Sequence, residues 1–568
     1  MHKFICYLTI FQLFIAANIA NGQSTSSSER IYLHTDRDIY IAGEELFFKC
    51  YRYDAIQNSL TGSKFAYLVL RNEQNSMISG ICLKLENDMF SGSIYLPDTL
   101  STGKYQLVSY TNCMRNAGEG VFFTKEILIA NRFDQDLTRL KRYDASYDTL
   151  QKSNAGFFQA ENDNHLISIK PEKNIYLKQE KIKISLDVVG IKQNEVAQLS
   201  VSVHEKALKS DYMQKILIKA DTFESKEPHS CFHLPEINGI MLEGRVIGTD
   251  NQKTIPDAKV FLSSPDTFAN LQFTYTNYDG IFRFILNDYY NNKNLILNLP
   301  DIKSGRIELV DKYELKEPFI PSKQFPDSMI KSYLLKSQSI VQVQKIYKIE
   351  TKQDVTKAIS LQGAAPMVYP PVTNPIYPSD FVSLPDFVEI SREILPYLKT
   401  RKHDERYEAR MVDVDNARFF NYDPQIFLDG VPINNINQII DLGTEKIKKI
   451  ETIAVERYDG NLFLQGILAV FSYKMEINNI VWESPALFTK YITFHPESIL
   501  KTPSVAKTGK TPDFRQLLYW DPLLILKANE KKILEFSASD EKGAFEITVE
   551  GITSEGNFIH VNTSFKVK

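Results

Sequence analysis

Lys181-Ile182-Lys183-Ile184-Ser185-Leu186 sets an apolar side chain at every second position and a polar one between. Successive side chains of an extended chain point to opposite faces, so this stretch predicts a strand with one face for a core and one for water. The alternation returns in Leu199, Val201 and Val203, and in Phe545, Ile547 and Val549 set against Glu546, Thr548 and Glu550. It is present nearer the start too, at residues 68–70, 94–96 and 105–110, broken by Gly, Asp and Asn. Aromatic residues make up 12% of the chain, mostly 35 Phe and 29 Tyr, and such side chains suit a pleated, half-buried surface better than a helix interior. The expected class is mainly β: a string of β-sandwich domains plus one small α+β domain.

The 568 residues allow roughly four domains. The formal net charge is −4, from 70 acidic and 66 basic side chains, and the basic residues gather on no predicted helix. Nucleic acid is therefore a poor partner. Lys3 followed by the apolar run at residues 4–20, with Ala20-Asn21-Gly22 before Gln23, predicts a secretory signal peptide over residues 1–22. The competing readings are an ordinary N-terminal helix or a membrane anchor. The run is short for a bilayer span, however, and a polar, Ser-rich tail follows it. No Cys follows the small residues, so a lipid-anchored form is not indicated, and no later stretch reaches the roughly 20 apolar residues of a transmembrane helix. Export predicts a periplasmic or outer-membrane-associated protein. Cys6 leaves with the signal, and Cys50, Cys82, Cys113 and Cys231 are too scattered for a disulfide scaffold. They are expected to be buried as small hydrophobes.

Residues 30–131 read as one sandwich. Thr35-Asp36-Arg37, Tyr40, Gly43-Glu44 and Phe47-Phe48-Lys49 resemble the opening of a macroglobulin domain, and Gly103-Lys104-Tyr105 with the run from Tyr110 to Asn116 resembles its closing hairpin in Bacteroidetes relatives. Asp36 and Gly43 suit tight turns, while Ile39, Ile41 and the Phe pair supply core. A second copy of the opening starts at Ile167, where Lys170-Pro171-Glu172-Lys173 precedes Tyr176, giving a second macroglobulin-like sandwich over residues 165–236. Residues 237–315 resemble a carboxypeptidase regulatory-like sandwich through Gly244-Arg245-Val246, the run from Pro256 to Val260, and Asn277-Tyr278-Asp279-Gly280-Ile281-Phe282-Arg283-Phe284. Asp279-Gly280 is a hairpin turn there, and Phe282 and Phe284 share a face.

A helix at residues 339–350 and a Pro-rich linker or strap, with Pro366, Pro370, Pro371, Pro375, Pro378 and Pro385, are expected within residues 316–383 and just beyond. An amphipathic helix follows at residues 385–395, capped by Ser383 with Asp386 three residues on. Three blocks then resemble the plug domain of TonB-dependent outer-membrane receptors: the run from Gln425 to Ile433, Ile447-Lys448-Lys449-Ile450-Glu451, and Gly466-Ile467-Leu468-Ala469-Val470-Phe471-Ser472. This match spans residues 384–474. A transporter needs a barrel of about 22 strands, and fewer than a hundred residues follow Lys474. The plug-like domain is therefore expected as a small α+β unit packed against the other domains and not enclosed by a barrel, with Lys446, Lys448, Lys449, Glu451, Glu456 and Arg457 solvated. Residues 480–568 read as a further C-terminal sandwich, whose segments at residues 513–515, 518–522 and 539–543 resemble bacterial macroglobulin-type proteins.

Chemistry-bearing residues are sparse. His229, Cys231 and His233 would share one face of a strand as metal ligands might, but no fourth ligand is assignable, and an ordinary loop or strand is the competing reading. Gly509-Lys510-Thr511 matches the end of a phosphate loop, yet position 504 is Ser504 where that loop needs Gly, so a solvated loop is expected. The macroglobulin thioester sequence Cys-Gly-Glu-Gln is missing, and Ser, His and Asp fall into no nucleophile arrangement. Asp429 and Gly430 are read as turn-forming fold determinants. No catalytic residue, metal or cofactor is assigned. The resemblances together imply a non-catalytic envelope binding or scaffold protein whose partner is another envelope protein. The alternative is an accessory part of an outer-membrane uptake or secretion system docking on a separate β-barrel.

Overall fold

The computed structural model describes residues 29–54, 62–131, 133–134, 166–206, 233–310, 313–321, 364–382, 384–404, 406–491, 494–495 and 512–568, with Tyr333, Lys336 and Ile340. The chain divides into two compact units. Unit 1 comprises Met1–Ile237, Leu315–Ile359 and Phe494–Lys568, and unit 2 comprises Asn238–Glu314 and Ser360–Thr493. The protein is mainly β, as the alternation predicts. The segment at residues 1–22, His229, Cys231, Ser383 and Gly509-Lys510-Thr511 lie outside the described residues, and of the helix expected at 339–350 only Ile340 is described, as helical.

Unit 1 opens with β1 (Glu29–Thr35), β2 (Ile39–Ile41), β3 (Glu45–Asp54), β4 (Phe65–Asn72), β5 (Met77–Lys84), β6 (Met89–Tyr95), β7 (Gly103–Tyr110) and β8 (Phe123–Ala130). They form two sheets, β1-β3-β6 and β2-β8-β7-β4-β5. The first strand leaves one sheet after Thr35, turns, and re-enters the other as β2, parallel to the last strand β8. Cys50 and Cys82 are buried here as thiols, as expected, and burial pushes the Cys50 thiol up to about 12.

The turn between β1 and β2 explains why the opening motif has its residue types. Tyr40 is fully buried, and its hydroxyl donates to Asp36 Oδ1 at 2.8 Å and to the Arg37 carbonyl at 2.7 Å. The Arg37 guanidinium lies 4.9 Å from the Tyr40 ring and pairs with Glu44 at 3.2 Å, while Glu44 accepts the Ile41 N–H at 2.9 Å. Burial pushes the Asp36 carboxyl up to about 6, against the opposing pull of Arg37, the Tyr40 hydroxyl and the Phe47 N–H.

β9 (Ile167–Pro171), β10 (Ile175–Tyr176), β11 (Lys181–Val188) and β12 (Val196–Glu205) repeat the device. Tyr176 is buried, Lys173 lies 5.9 Å from its ring and pairs with Glu180 at 2.5 Å, and Glu180 accepts the Leu177 N–H at 2.7 Å. Gln179 takes the left-handed φ of 60° where the first copy has Gly43 at 96°. One clamp of aromatic ring, cation and carboxylate thus closes the entry turn of both sandwiches.

The chain leaves this sandwich after Glu205 and builds unit 2. β13 (Ile240–Ile247), β14 (Lys259–Ser263), β15 (Gln272–Tyr275), β16 (Ile281–Leu286), β17 (Lys293–Asn298) and β18 (Arg306–Leu309) make a small sandwich. Gly280 ends a tight turn at φ 72°, but β15 and β16 on either side of it belong to different sheets, so the turn carries the chain between sheets and is not the expected hairpin; Phe282 and Phe284 are buried together. Helix α1 (Phe387–Glu393) is capped by Asp386, whose side chain accepts the Glu389 N–H, so the cap is one turn later than Ser383. After it come β19 (Leu398–His403), β20 (Arg406–Asp413), β21 (Arg418–Phe419), β22 (Gln425–Leu428), β23 (Val431–Ile433), α2 (Asn437–Ile440), β24 (Ile447–Asp459), β25 (Leu462–Ser472) and β26 (Ala486–Tyr491). The sheets here are β19-β20-β21 and β23-β22-β25-β24.

The stretch at residues 384–474 packs against a neighbouring domain, as expected: Phe427, Leu464, Ile467 and Phe471 share one core with Phe261 and Leu271 of the small sandwich. The Pro-rich segment is a strap, with the Tyr369 hydroxyl donating to Glu451 at 2.6 Å and Ile376 bridging Ile450 of β24. Glu451, expected in water, is consequently buried.

The C-terminal strands are β27 (Leu517–Lys527), β28 (Lys531–Ser537), β29 (Gly543–Thr553) and β30 (Phe558–Val567). They do not form a sandwich of their own. Their sheets are β10-β30-β29-β12-β27 and β28-β11-β9, so residues 165–236 and 480–568 contribute to a single sandwich with one core. β26, counted with the C-terminal sandwich, instead pairs with β17 in unit 2. The physical reason is that β12 pairs with none of β9 to β11 and takes β27 and β29 on its two edges, while β11 takes β28 on the edge away from β9. Periodicity shows that a strand has an apolar face and is silent about which distant strand covers it.

The Tyr40→Phe variant should lose about 1–3 kcal/mol of unit 1 stability in urea denaturation, because a buried carboxylate loses a donor. Tyr176→Phe should lose less, about 0.5–1.5 kcal/mol, because there the hydroxyl accepts from the Lys173 N–H. A chain cut once at an engineered site between Glu205 and Leu517 should elute as one species in gel filtration and separate only in denaturant.

Candidate functional site

β12 carries Leu199, Val201 and Val203 toward the sandwich core and Ser200, Ser202 and His204 on its other face. That second face is also buried, because β1 and β3 of the first sandwich cover it. Ser200 lies opposite Glu550 of β29, which lies opposite His560 of β30, so three neighbouring strands present a row of polar groups. Tyr32 and His34 of β1 and Tyr51 of β3 meet this row. The Tyr32 hydroxyl donates to Glu550 Oε2 at 2.6 Å, His34 Nε2 is 3.6 Å from the same oxygen, and His560 Nδ1 is 3.3 Å from Oε1. His34 Nδ1 lies 2.5 Å from Ser200 Oγ, to which the Tyr51 hydroxyl donates at 2.8 Å.

Hydroxyl, imidazole and carboxylate therefore stand in the order of a nucleophile, base and acid. Their surroundings give the cluster another role. His34 and Ser200 are 0% exposed and Glu550 4%, Trp520 lies 5.2 Å from the His34 ring, and Ser200 Oγ is engaged by Tyr51, His34 and the Glu550 carbonyl. An attacking oxygen needs room for a substrate carbonyl, and this one is walled by two sheets. Burial, and next the Glu550 charge, hold the Tyr32 hydroxyl well above the usual range, so it stays protonated as a donor. The cluster is a polar weld between the two sandwiches of unit 1.

The sequence offered no such grouping because His34 and Ser200 are 166 residues apart and Ser200 and Glu550 are 350 apart. Alternation alone marks Ser200, Ser202 and His204 as a water face. The available signal was their type: small hydroxyls and a histidine, where a solvated strand such as β11 has lysines.

Asp429 and Gly430 turn between β22 and β23 at φ 49° and 84°. Asp429 accepts the Ser472 N–H at 2.6 Å, the Ser472 hydroxyl at 2.8 Å and the Ile477 N–H at 3.1 Å, which ties the turn to β25 and the segment after it. A Cβ on Gly430 would come within 2.5 Å of the Phe268 carbonyl oxygen. His233 exchanges backbone hydrogen bonds with the Asn116 side chain, and no metal-ligating group is found among the described residues. A polar cleft of about 130 Å³ is lined by Asn72, Glu73, Ser101, Lys104 and neighbours.

Unit 2 has a surface of a different kind. β24 and β25 join in a long hairpin at Gly460, with Leu462 and Leu464 on the buried face. On the other face Tyr458 and Phe463 stack at 4.6 Å with Tyr458 71% exposed. Next along that face Gln465 donates to Glu456 at 2.9 Å and accepts the N–H of the exposed Tyr422 at 3.0 Å. Exposed rings on a well-supported strand are the side chains that dominate protein interfaces.

Fold and site thus define a mainly β, multi-sandwich protein in which two segments forming a second unit interrupt the chain of the first. No family model and no curated protein matches the sequence. Among solved structures, Salmonella α2-macroglobulin reacted with methylamine is 8% identical, with 95% of this chain and 39% of that chain covered, at a TM-score of 0.24. The native conformation of E. coli α2-macroglobulin is 9% identical over 96% of this chain and 40% of that one, also at 0.24. The D0–D1 domain of Intimin is 10% identical over 49% of this chain and 94% of that chain, at 0.13. The chain spans about 40% of the macroglobulins' length, and superpositions this loose carry no argument.

Ser200→Ala should destabilise unit 1 by about 1–3 kcal/mol in denaturant titration, the cost of breaking a buried hydrogen-bond network. Hydrolysis of an activated ester such as p-nitrophenyl acetate should be the same for the variant and the parent.

Proposed function

We propose that this chain is a non-catalytic binding or scaffold protein of a bacterial cell envelope, exported by its N-terminal signal and acting through contacts with another envelope protein. Its sandwiches are read as macroglobulin-like, the small sandwich of unit 2 as carboxypeptidase regulatory-like, and residues 384–474 as a plug-like module put to use without a barrel. The repeated ring, cation and carboxylate clamp at Tyr40 and Tyr176 supports the macroglobulin-like reading, since it gives the shared opening motif a shared structural task. The observation that carries the functional reading is the exposed Tyr458–Phe463 stack on the β24–β25 hairpin. By contrast, the Ser200, His34 and Glu550 grouping is used up in joining the two sandwiches of unit 1.

A photo-crosslinking residue placed at Tyr458 should capture one defined envelope protein in living cells, while the same residue at exposed Ile533 of β28 should not. Envelope-purified protein should begin near Gln23. Equal capture from both positions, or an N-terminus at Met1, would reject the reading, and capture of an integral barrel would favour the accessory-component alternative.

A further inference from the structure

The β19–β20 ladder has one face on a core and one in water. Leu398, Ala409 and Met411 pack with Phe387 and Ile390 of α1, which fixes the ladder rigidly. Outward stand Lys399, Arg401 and His403 of β19 and Arg406, Glu408 and Arg410 of β20, all exposed. The register puts Lys399 opposite Arg410 and His403 opposite Arg406, with Arg401 opposite Glu408. Like charges directly opposed weaken a sheet, so packing gives no reason for the first of these pairs. The carboxylates nearby are Glu408 on the face itself, Asp404 at the turn 3.4 Å from His403, and Asp423 3.5 Å from Arg410. Val412 pairs with Phe419 of β21, so that ring, 53% exposed, continues the same outward face at the end of the cationic row.

We infer that this face binds an anionic phospholipid surface. Arginine forks match phosphate oxygens in two-point hydrogen bonds, which three arginines on one flat ladder can make side by side. An apolar edge beside them, formed by Phe419 and Val412, suits the boundary between headgroups and acyl chains. The inference concerns a surface separate from the Tyr458 hairpin and stands without it.

The test is co-sedimentation of the full chain with vesicles of equal parts phosphatidylglycerol and phosphatidylcholine, against vesicles of phosphatidylcholine alone. Binding should occur to the anionic vesicles only and should weaken about fivefold for each cation removed. The triple variant Arg401→Gln, Arg406→Gln, Arg410→Gln should therefore lose about a hundredfold, with an unchanged thermal melt because all three side chains are exposed. Lys531→Gln with Lys532→Gln on exposed β28 and Tyr458→Ala on the hairpin should each bind like the parent. Equal binding by the triple variant, or equal binding to neutral vesicles, would overturn the inference. Full competition by soluble polyglutamate would also overturn it, in favour of an acidic protein as the occupant.

Discussion

Strand β12 is hydrogen-bonded along both edges by β27 and β29, strands that arrive more than three hundred residues later, and the second sandwich of unit 1 is built around those pairings. Loop closure entropy rises slowly with length, by about 0.6 kcal/mol for each doubling. A long insertion between His204 and its partner Leu517 is therefore tolerable once the sandwich core of Leu199, Val201, Val549 and Leu524 is gained. The insertion point is suited to the purpose, since the chain leaves and returns on adjacent antiparallel strands.

The outer face of the same strand explains why the two sandwiches of unit 1 are joined by polar groups. Ser200, Glu550 and His560 form a row of hydrogen-bonding side chains that Tyr32, His34 and Tyr51 complete from the other sheet. A buried polar network is costly when any member is missing, so it selects one register between the sheets where an apolar contact would accept several. Groups able to do acid–base chemistry in an open cleft here do positional work.

Much of the architecture was legible in side-chain types. Period-two patterning located β11, β12 and β29, and the likeness of Asp36-Arg37-Asp38-Ile39-Tyr40 to Glu172-Lys173-Asn174-Ile175-Tyr176 gave two sandwich entries, which fold with the same clamp. Asp279-Gly280 and Asp429-Gly430 gave turns because Gly280, Asp429 and Gly430 take positive φ, which Gly and short polar residues accept at low cost. The helix at Phe387–Glu393 followed from its apolar face, although Asp386 and not Ser383 caps it.

What the sequence determined by itself was local: which segments are strands, which face of each is apolar, and where the chain must turn. These follow from φ/ψ preferences and from side chains pointing alternately up and down, which act within a few residues. The tertiary structure alone decided which strands share a sheet, so that residues 165–236 and 480–568 became one sandwich, β26 joined unit 2, and the Pro-rich segment became a strap held by Tyr369 and Glu451. It alone decided that the polar face of β12 is buried. Pairing and burial depend on which apolar surfaces remain uncovered after the whole chain has collapsed, and no window of sequence contains that information.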